Sequence, residues 1–265
     1  MSFAPPNQPA TDPSTAENAA ARPEKLGGGP PGGQLDRPGF GAGRVALGFL
    51  VFVGLLVVLA VLADALLGGR ARTPAGTVVL LAVQSLAFLI AALTLASPAF
   101  DGGGRGGIGA TLRDLGFRRP EGRVGVSVAI AIVGYLGASI AIALTLAPEQ
   151  EDVTRALGVE SSTVAAIAAG IMIVGVAPVV EELFFRGFAF GGLRRDLPFW
   201  AAGLIANAIF GLAHLVGSTN LAVVLQLFVF GLVLSWLYER TNSIGPSIAL
   251  HAVNNAFAFA ALLAT

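Results

Sequence analysis

Past residue 40 the chain is a succession of long apolar runs broken by short polar or glycine-rich links. About 20 helical residues cross the hydrocarbon core of a bilayer, and the runs have that length. They predict helices over 45–67, 75–96, 124–147, 162–193, 199–216, 221–238 and 246–263. Each is too long and too uniformly apolar for a strand, and the alternation of a membrane β-barrel is absent. The expected fold is therefore all-α, a polytopic transmembrane bundle of about seven helices. Residues 1–40 differ: Pro, Gly, Ala and Ser dominate, as in "LGGGPPGGQLDRPG". Such a segment buries too little apolar area to offset its ordering entropy, which predicts a disordered tail ahead of a helical domain over 41–265. It has no apolar h-region, so it is not expected to be a cleaved signal peptide.

Composition agrees with lipid as the main solvent. Hydrophobic residues make up 55% of the 265 and charged residues only 12%, about half the charge a soluble domain carries. The absence of cysteine removes disulfide scaffolds, cysteine–zinc sites and thiol chemistry. A net charge of zero gives no case for nucleic acid as a partner. Arginine placement orients the bundle. Arg105, Arg113, Arg118, Arg119 and Arg123 crowd the link before the third run, while Glu149, Glu151, Asp152 and Glu160 make the next link acidic. This alternation predicts a cytoplasmic N-terminus, with Arg70 and Arg72 as the exception. Trp200, Trp236 and Tyr238 fall at the expected cytoplasmic ends, where aromatic belts belong.

Ionisable residues inside the runs are few: Glu181, Glu182, Arg186, His214 and His251, the last two being the chain's only histidines. Such groups are expensive in hydrocarbon, face the bundle interior and usually have a task. Glu182 and Arg186 stand at i and i+4, within ion-pair reach on one face. That spacing suits a pair that makes a charged helix tolerable. Glu181 points about 100° away and has no partner in its own helix, the setting of a general base. His214 ends "FGLAH", and "HAVNN" puts His251 and Asn255 on one face. For each residue alone, interhelical hydrogen bonding explains its presence as well as chemistry does. Glu181 precedes the turn near Leu197 by 16 residues and His214 follows it by 17, which sets both at about 25 Å from that turn. His251 and Asn255 can join them from the last helix. That arrangement leaves "VGSTN", residues 216–220, buried beyond a short fifth helix.

Glu181-Glu182-x-x-x-Arg186 with Gly187 after it, Phe210-x-x-x-His214, and His251-x-x-x-Asn255 resemble the motifs of the CPBP intramembrane proteases. That family includes the type II CAAX prenyl endopeptidases and bacteriocin-processing or immunity proteins. The resemblance covers about residues 160–260, the expected catalytic core. It implies an endopeptidase that hydrolyses a peptide bond of a membrane-associated protein or peptide, prenylated CAAX-type chains being one class. It implies Glu181 as the carboxylate that activates water, with His214 helping to deprotonate it. His251 and Asn255 would stabilise the oxyanion, with Glu182 and Arg186 in support. Glu, His and Asn supply a base and oxyanion donors without serine or cysteine. The favoured expectation needs no cofactor. Glu181, His214 and His251 are also candidate ligands for zinc, which would make the protein a metalloprotease. The expected setting is a bacterial cell membrane, with lipid and the substrate as partners. A non-catalytic scaffold or immunity-type protein on the same fold is the alternative. A proton or cation carrier is a further one, disfavoured by the absence of an internal repeat.

Overall fold

The computed structural model describes residues 35–70, 73–101, 107–146, 162–214 and 221–264. The described residues are helical, without a strand. Helix α1 is Ala42–Leu66, α2 Pro74–Leu95, α3 the short Ile108–Asp114 and α4 Val124–Leu146. A continuous rod, α5, runs over Thr163–Asp196. Helices α6 (Phe199–Ala213), α7 (Leu221–Thr241) and α8 (Gly245–Leu263) follow. Six of these are long and apolar enough to cross a membrane, and α6 is a shorter apolar helix. The protein is an all-α polytopic bundle. The expected helix starts and ends agree to within a few residues; α3 was not expected, and α6 stops at Ala213.

Local chemistry explains where the rods begin. Thr73 caps α2, its hydroxyl accepting from the Gly76 amide at 3.2 Å, with Pro74 as the first helical residue. Ser162 caps α5 in the same way through the Ala165 amide. The first turn of α1 has no cap of its own. Instead Asp196, at the far end of α5, accepts from the Ala42 amide at 2.7 Å.

A chain of aromatic rings fastens α1 and α2 to α5, and α5 to α6. Phe52 and Phe88 stack at 4.0 Å, Phe88 meets Phe184 at 4.7 Å, and Phe185 meets Phe210 at 5.0 Å. Such ring pairs add to the dispersion gained by burial. The outer faces of α1, α4 and α8 carry apolar side chains without cover, Leu50, Val133, Leu144 and Phe257 among them. This is the inverse of a soluble surface and fits hydrocarbon as the solvent.

Most of the tail expected over 1–40, and the acidic link with Glu149, Glu151, Asp152 and Glu160, lie outside the described residues. So does the "VGSTN" stretch. At the end of the segment expected as a tail, Leu35 and Phe40 are buried in the core. The Asp36 amide donates to Asn242 at 2.9 Å, and Arg118 pairs with the Asp36 carboxylate at 2.8 Å. Apolar anchors at both ends of this short strap offset its ordering cost. Tyr238, expected in an interfacial belt, is fully buried against Gly116. Gly116 has φ +88° and no side chain, so the ring lies directly on the backbone.

Candidate active site

The rod α5 is not a uniform α-helix. Residues Ile171–Val176 and Glu182–Phe190 are π-helical, separated by the α-helical Ala177–Glu181. Pro178 gives a reason for the first widening. The Ala177 amide donates five residues back, to the Met172 carbonyl. In that register the Ile173 carbonyl would take the amide of residue 178, but a proline has none. The orphaned carbonyl accepts instead from Nδ2 of Asn255, on α8, at 2.9 Å. A buried carbonyl left without a donor is costly, so this bond latches α8 to the π turn. π-turns inside α-helices are frequent at functional sites.

One turn later come the two glutamates. Glu182 is fully buried, and its Oε1 approaches Arg186 at 2.9 Å, the i,i+4 pair that the spacing predicts. The same oxygen accepts from Nδ1 of His251 on α8 at 2.8 Å. The carboxylate accepts, so Nδ1 of His251 carries the proton and the unprotonated nitrogen of the neutral ring is Nε2. Nε2 lies 3.9 Å from Oε2 of Glu181, wider than a direct hydrogen bond. The Arg186 guanidinium sits over the ring of Phe210 at 4.5 Å, a cation–π contact.

Glu181 keeps its side chain partly open, 15% exposed, where Glu182 has none. It borders a small cavity of about 30 Å³ lined by α2 and the first half of α5, including Gln84, Ser85, Phe88, Met172 and Ile173. The cavity wall is otherwise apolar.

His214, the capping residue of α6, is held differently. Its Nδ1 bonds to the Phe210 carbonyl at 2.8 Å, and a carbonyl can only accept, so Nδ1 again carries the proton. The ring lies edge-to-face on Phe210 at 5.0 Å, while Phe210 also meets His251 at 6.2 Å. Phe210 is thus the common neighbour of His214, His251 and Arg186. Glu181, Glu182, Arg186 and His251 form one contiguous group. His214 joins it through Phe210, and Asn255 through the backbone of Ile173. Two contacts were not foreseen: the Glu182–His251 bond, which requires the relative rotation of two helices, and the Asn255–Ile173 bond, whose acceptor is a backbone atom. Pro178 within an apolar run was the available signal for the second.

Zinc asks for three or four donors converging at about 2.0–2.3 Å. Among the described residues no group of three or more His, Asp or Glu side chains is arranged that way. Nδ1 of each histidine bonds elsewhere, in His251 to Glu182 and in His214 to Phe210, which leaves Nε2 as the nitrogen a metal would take. Glu181, His214 and His251 form no three-donor group among the described residues.

Gly187, next to Arg186, has a steric reason. A Cβ there would run into the backbone carbonyl of Leu115, which follows α3 and presses on α5. The loop is pinned by the Ile244 amide to the Gly116 carbonyl at 3.1 Å and by Ser243 Oγ to the Arg118 carbonyl at 2.7 Å.

All three motifs fall within residues 163–257, and that stretch matches the family model described as type II CAAX prenyl endopeptidase Rce1-like. Over residues 163–257 the chain is similar to the Rce1-like family. The Rce1-like segment is under half of the chain and spans α5 to most of α8. Among curated proteins, the chain is 32% identical over 142 residues to "Putative membrane peptidase YdiL" of Bacillus subtilis (strain 168), covering 51% of this chain and 56% of that protein. It is 37% identical over 98 residues to "Uncharacterized protein YyaK" of the same organism, covering 34% and 32%. It is 29% identical over 87 residues to "UPF0177 protein YxdF" of Lactococcus lactis subsp. lactis (strain IL1403), covering 33% and 46%. The chain spans about half the length, or less, of the curated relatives it matches. No solved structure matches it.

Proposed function

We propose that the protein is an intramembrane endopeptidase that cuts a membrane-associated protein or peptide, with Glu181 as the general base. The observation that supports this most directly is the pairing of a partly open carboxylate with a fixed imidazole. Glu181 Oε2 and His251 Nε2 face each other at 3.9 Å beside a cavity, while Glu182 holds the other ring nitrogen. A water touching both groups fits that spacing. Glu181 takes its proton as the oxygen attacks the scissile carbonyl, and the carbon becomes tetrahedral. The proton then passes to the leaving amine as the C–N bond breaks, so that water is consumed and an acid and an amine are released.

His251 is supported in a way that suits charge developing nearby. Glu182 fixes its tautomer and stabilises the imidazolium whenever Nε2 gains a proton, and a protonated Nε2 can donate to the oxyanion. Arg186 shares Glu182's charge, so the buried carboxylate is compensated at rest. His214, with Nδ1 tied to its own helix, offers Nε2 as a second proton acceptor on the far side of Phe210. Asn255 retains one amide hydrogen beyond its bond to Ile173. Its oxyanion role is therefore a shared one, and holding the π turn is its first duty.

A bacterial cell membrane is the proposed location, supported by the organisms of the relatives, and the N-terminus is proposed to be cytoplasmic from the arginine-rich residues 105–123. Prenylated CAAX-type chains are one substrate class within this reading. Purified full-length protein in bicelles should cleave members of a labelled membrane-peptide panel. Glu181→Gln should remove the cleavage without changing the melting temperature. Undiminished cleavage by Glu181→Gln overturns the assignment of the base.

A further inference from the structure

Four residues of α2 line the cavity that Glu181 borders: Leu81, Gln84, Ser85 and Phe88. Their spacing, i, i+3, i+4 and i+7, is a single helical face. They lie outside the Rce1-like segment, whose match begins at residue 163. The polar side chains of α2 are Thr77, Gln84, Ser85 and Thr94. The two threonines do what hydroxyls in apolar helices usually do and bond back one turn. Thr77 donates to the Thr73 carbonyl at 3.2 Å and Thr94 to the Ile90 carbonyl at 2.6 Å. Gln84 and Ser85 do not: among the described residues neither side chain has a hydrogen-bond partner. Both are half-buried, in the middle of a membrane-spanning helix. An amide and a hydroxyl without partners are costly in such a place, and polar groups retained there mark a task.

We propose that Gln84 and Ser85 are substrate-binding residues that hydrogen-bond the main chain of an extended peptide segment lying across the mouth of this small cavity, alongside Glu181. The inference rests on the peptidase reading above and extends it to the substrate's shape. A peptide bond inside a helix has its carbonyl occupied and its flanks covered, so hydrolysis needs a locally unwound segment. Unwinding leaves N–H and C=O groups that lipid cannot satisfy. A primary amide carries both donors and an acceptor, as a neighbouring strand would, and a hydroxyl does both on a smaller scale. The rest of the wall, Leu81, Phe88, Met172, Ile173 and Ala177, offers only dispersion. The site therefore selects an apolar side chain on an extended backbone.

The test separates binding from cleavage. The probe is a dye-labelled, Leu/Ala-rich membrane peptide. Its affinity is read by anisotropy in full-length Glu181→Gln protein, and its hydrolysis in protein with Glu181 intact. Gln84→Leu with Ser85→Ala should weaken peptide binding roughly tenfold and raise KM by a similar factor, as two net hydrogen bonds would. kcat should stay within about twofold, the signature of lost uniform binding. Ser85→Thr, which keeps a hydroxyl, should retain most of the affinity, and it serves as the check if the double variant misfolds. Unchanged affinity and KM in a well-folded double variant, with cleavage intact, overturns the proposal and leaves the peptidase reading standing. Weakened binding in a protein whose wild type cleaves nothing supports the docking site and removes the peptidase reading.

Discussion

Removing Glu182 should be the most damaging single change to the buried charge cluster, because one oxygen serves two cationic or proton-donating partners. Its Oε1 lies 2.9 Å from Arg186 and 2.8 Å from His251, and the side chain has no exposure. Glu182→Ala strands a guanidinium that is itself fully buried. Breaking a buried pair from one side typically costs about 3–5 kcal/mol. Polar groups in a membrane protein re-partner more readily than in water, which puts the expectation at the lower end, about 3 kcal/mol. Arg186→Met alone leaves Glu182 with His251 as its remaining partner and should cost about 2–3 kcal/mol. Glu182→Met with Arg186→Met removes both charges and should cost far less than the two single changes together, with a coupling of at least ~1.5 kcal/mol. None of these should cleave peptide well, since each disturbs the group that fixes His251. Equilibrium unfolding in mixed micelles gives the stabilities, and peptide hydrolysis gives the activity. Additive single and double changes, or a Glu182→Ala cost under about 1 kcal/mol, would refute the account of a coupled buried pair.

Three further outcomes follow from other parts of the molecule. Asn255→Ala should destabilise by about 1–3 kcal/mol by orphaning the Ile173 carbonyl, and Pro178→Ala, which restores a backbone amide, should reduce that cost in a double-variant unfolding cycle. Gly187→Ala should cost about 1–3 kcal/mol or more, because the new Cβ meets the Leu115 carbonyl, whereas Gly54→Ala, with open space around it, should be close to neutral in the same thermal assay. Burial pushes the Asp114 carboxyl up from its ordinary 3.8, against the opposing pull of Arg118 and Arg113. The folded protein thus holds this proton more tightly than the unfolded chain, and stability drains away as pH rises through the unfolded value towards the folded one. Asp114→Asn should therefore gain in melting temperature relative to wild type at neutral pH, and the advantage should vanish as pH falls below the ordinary carboxyl value of 3.8.

The helical architecture was readable because it depends on length and apolarity alone, and runs such as 124–147 carry both. The Glu182–Arg186 pair was readable because i,i+4 is a property of one helix. What lay beyond the sequence was anything set by rotation between helices. The α8 register decides that His251 Nδ1 meets Glu182, and a near-uniform apolar helix gives little periodicity from which to infer that rotation. The π turns of α5 were hidden for a related reason: an apolar run reads the same whether the helix closes four or five residues back. Tyr238 was expected at an interface because its position near a helix end resembles a belt residue. The residues that bury it, Gly116 and its loop, sit more than 100 positions away. Gln84 and Ser85 carry no comparable signal in the sequence, because neither ionises.

The length of α5 has a consequence for the lipid around the protein. Its 34 residues would extend about 50 Å as an α-helix, against a hydrocarbon core of about 30 Å. Fitting that length by tilt alone would take an inclination beyond the usual 0–40° range. The rod must therefore run out past the acyl chains on at least one side, or draw the leaflets out of their resting shape. Glu181, near its middle, then has a depth set by bilayer thickness as well as by the protein. Lengthening or shortening the acyl chains moves the carboxylate relative to the aqueous boundary without altering a single residue.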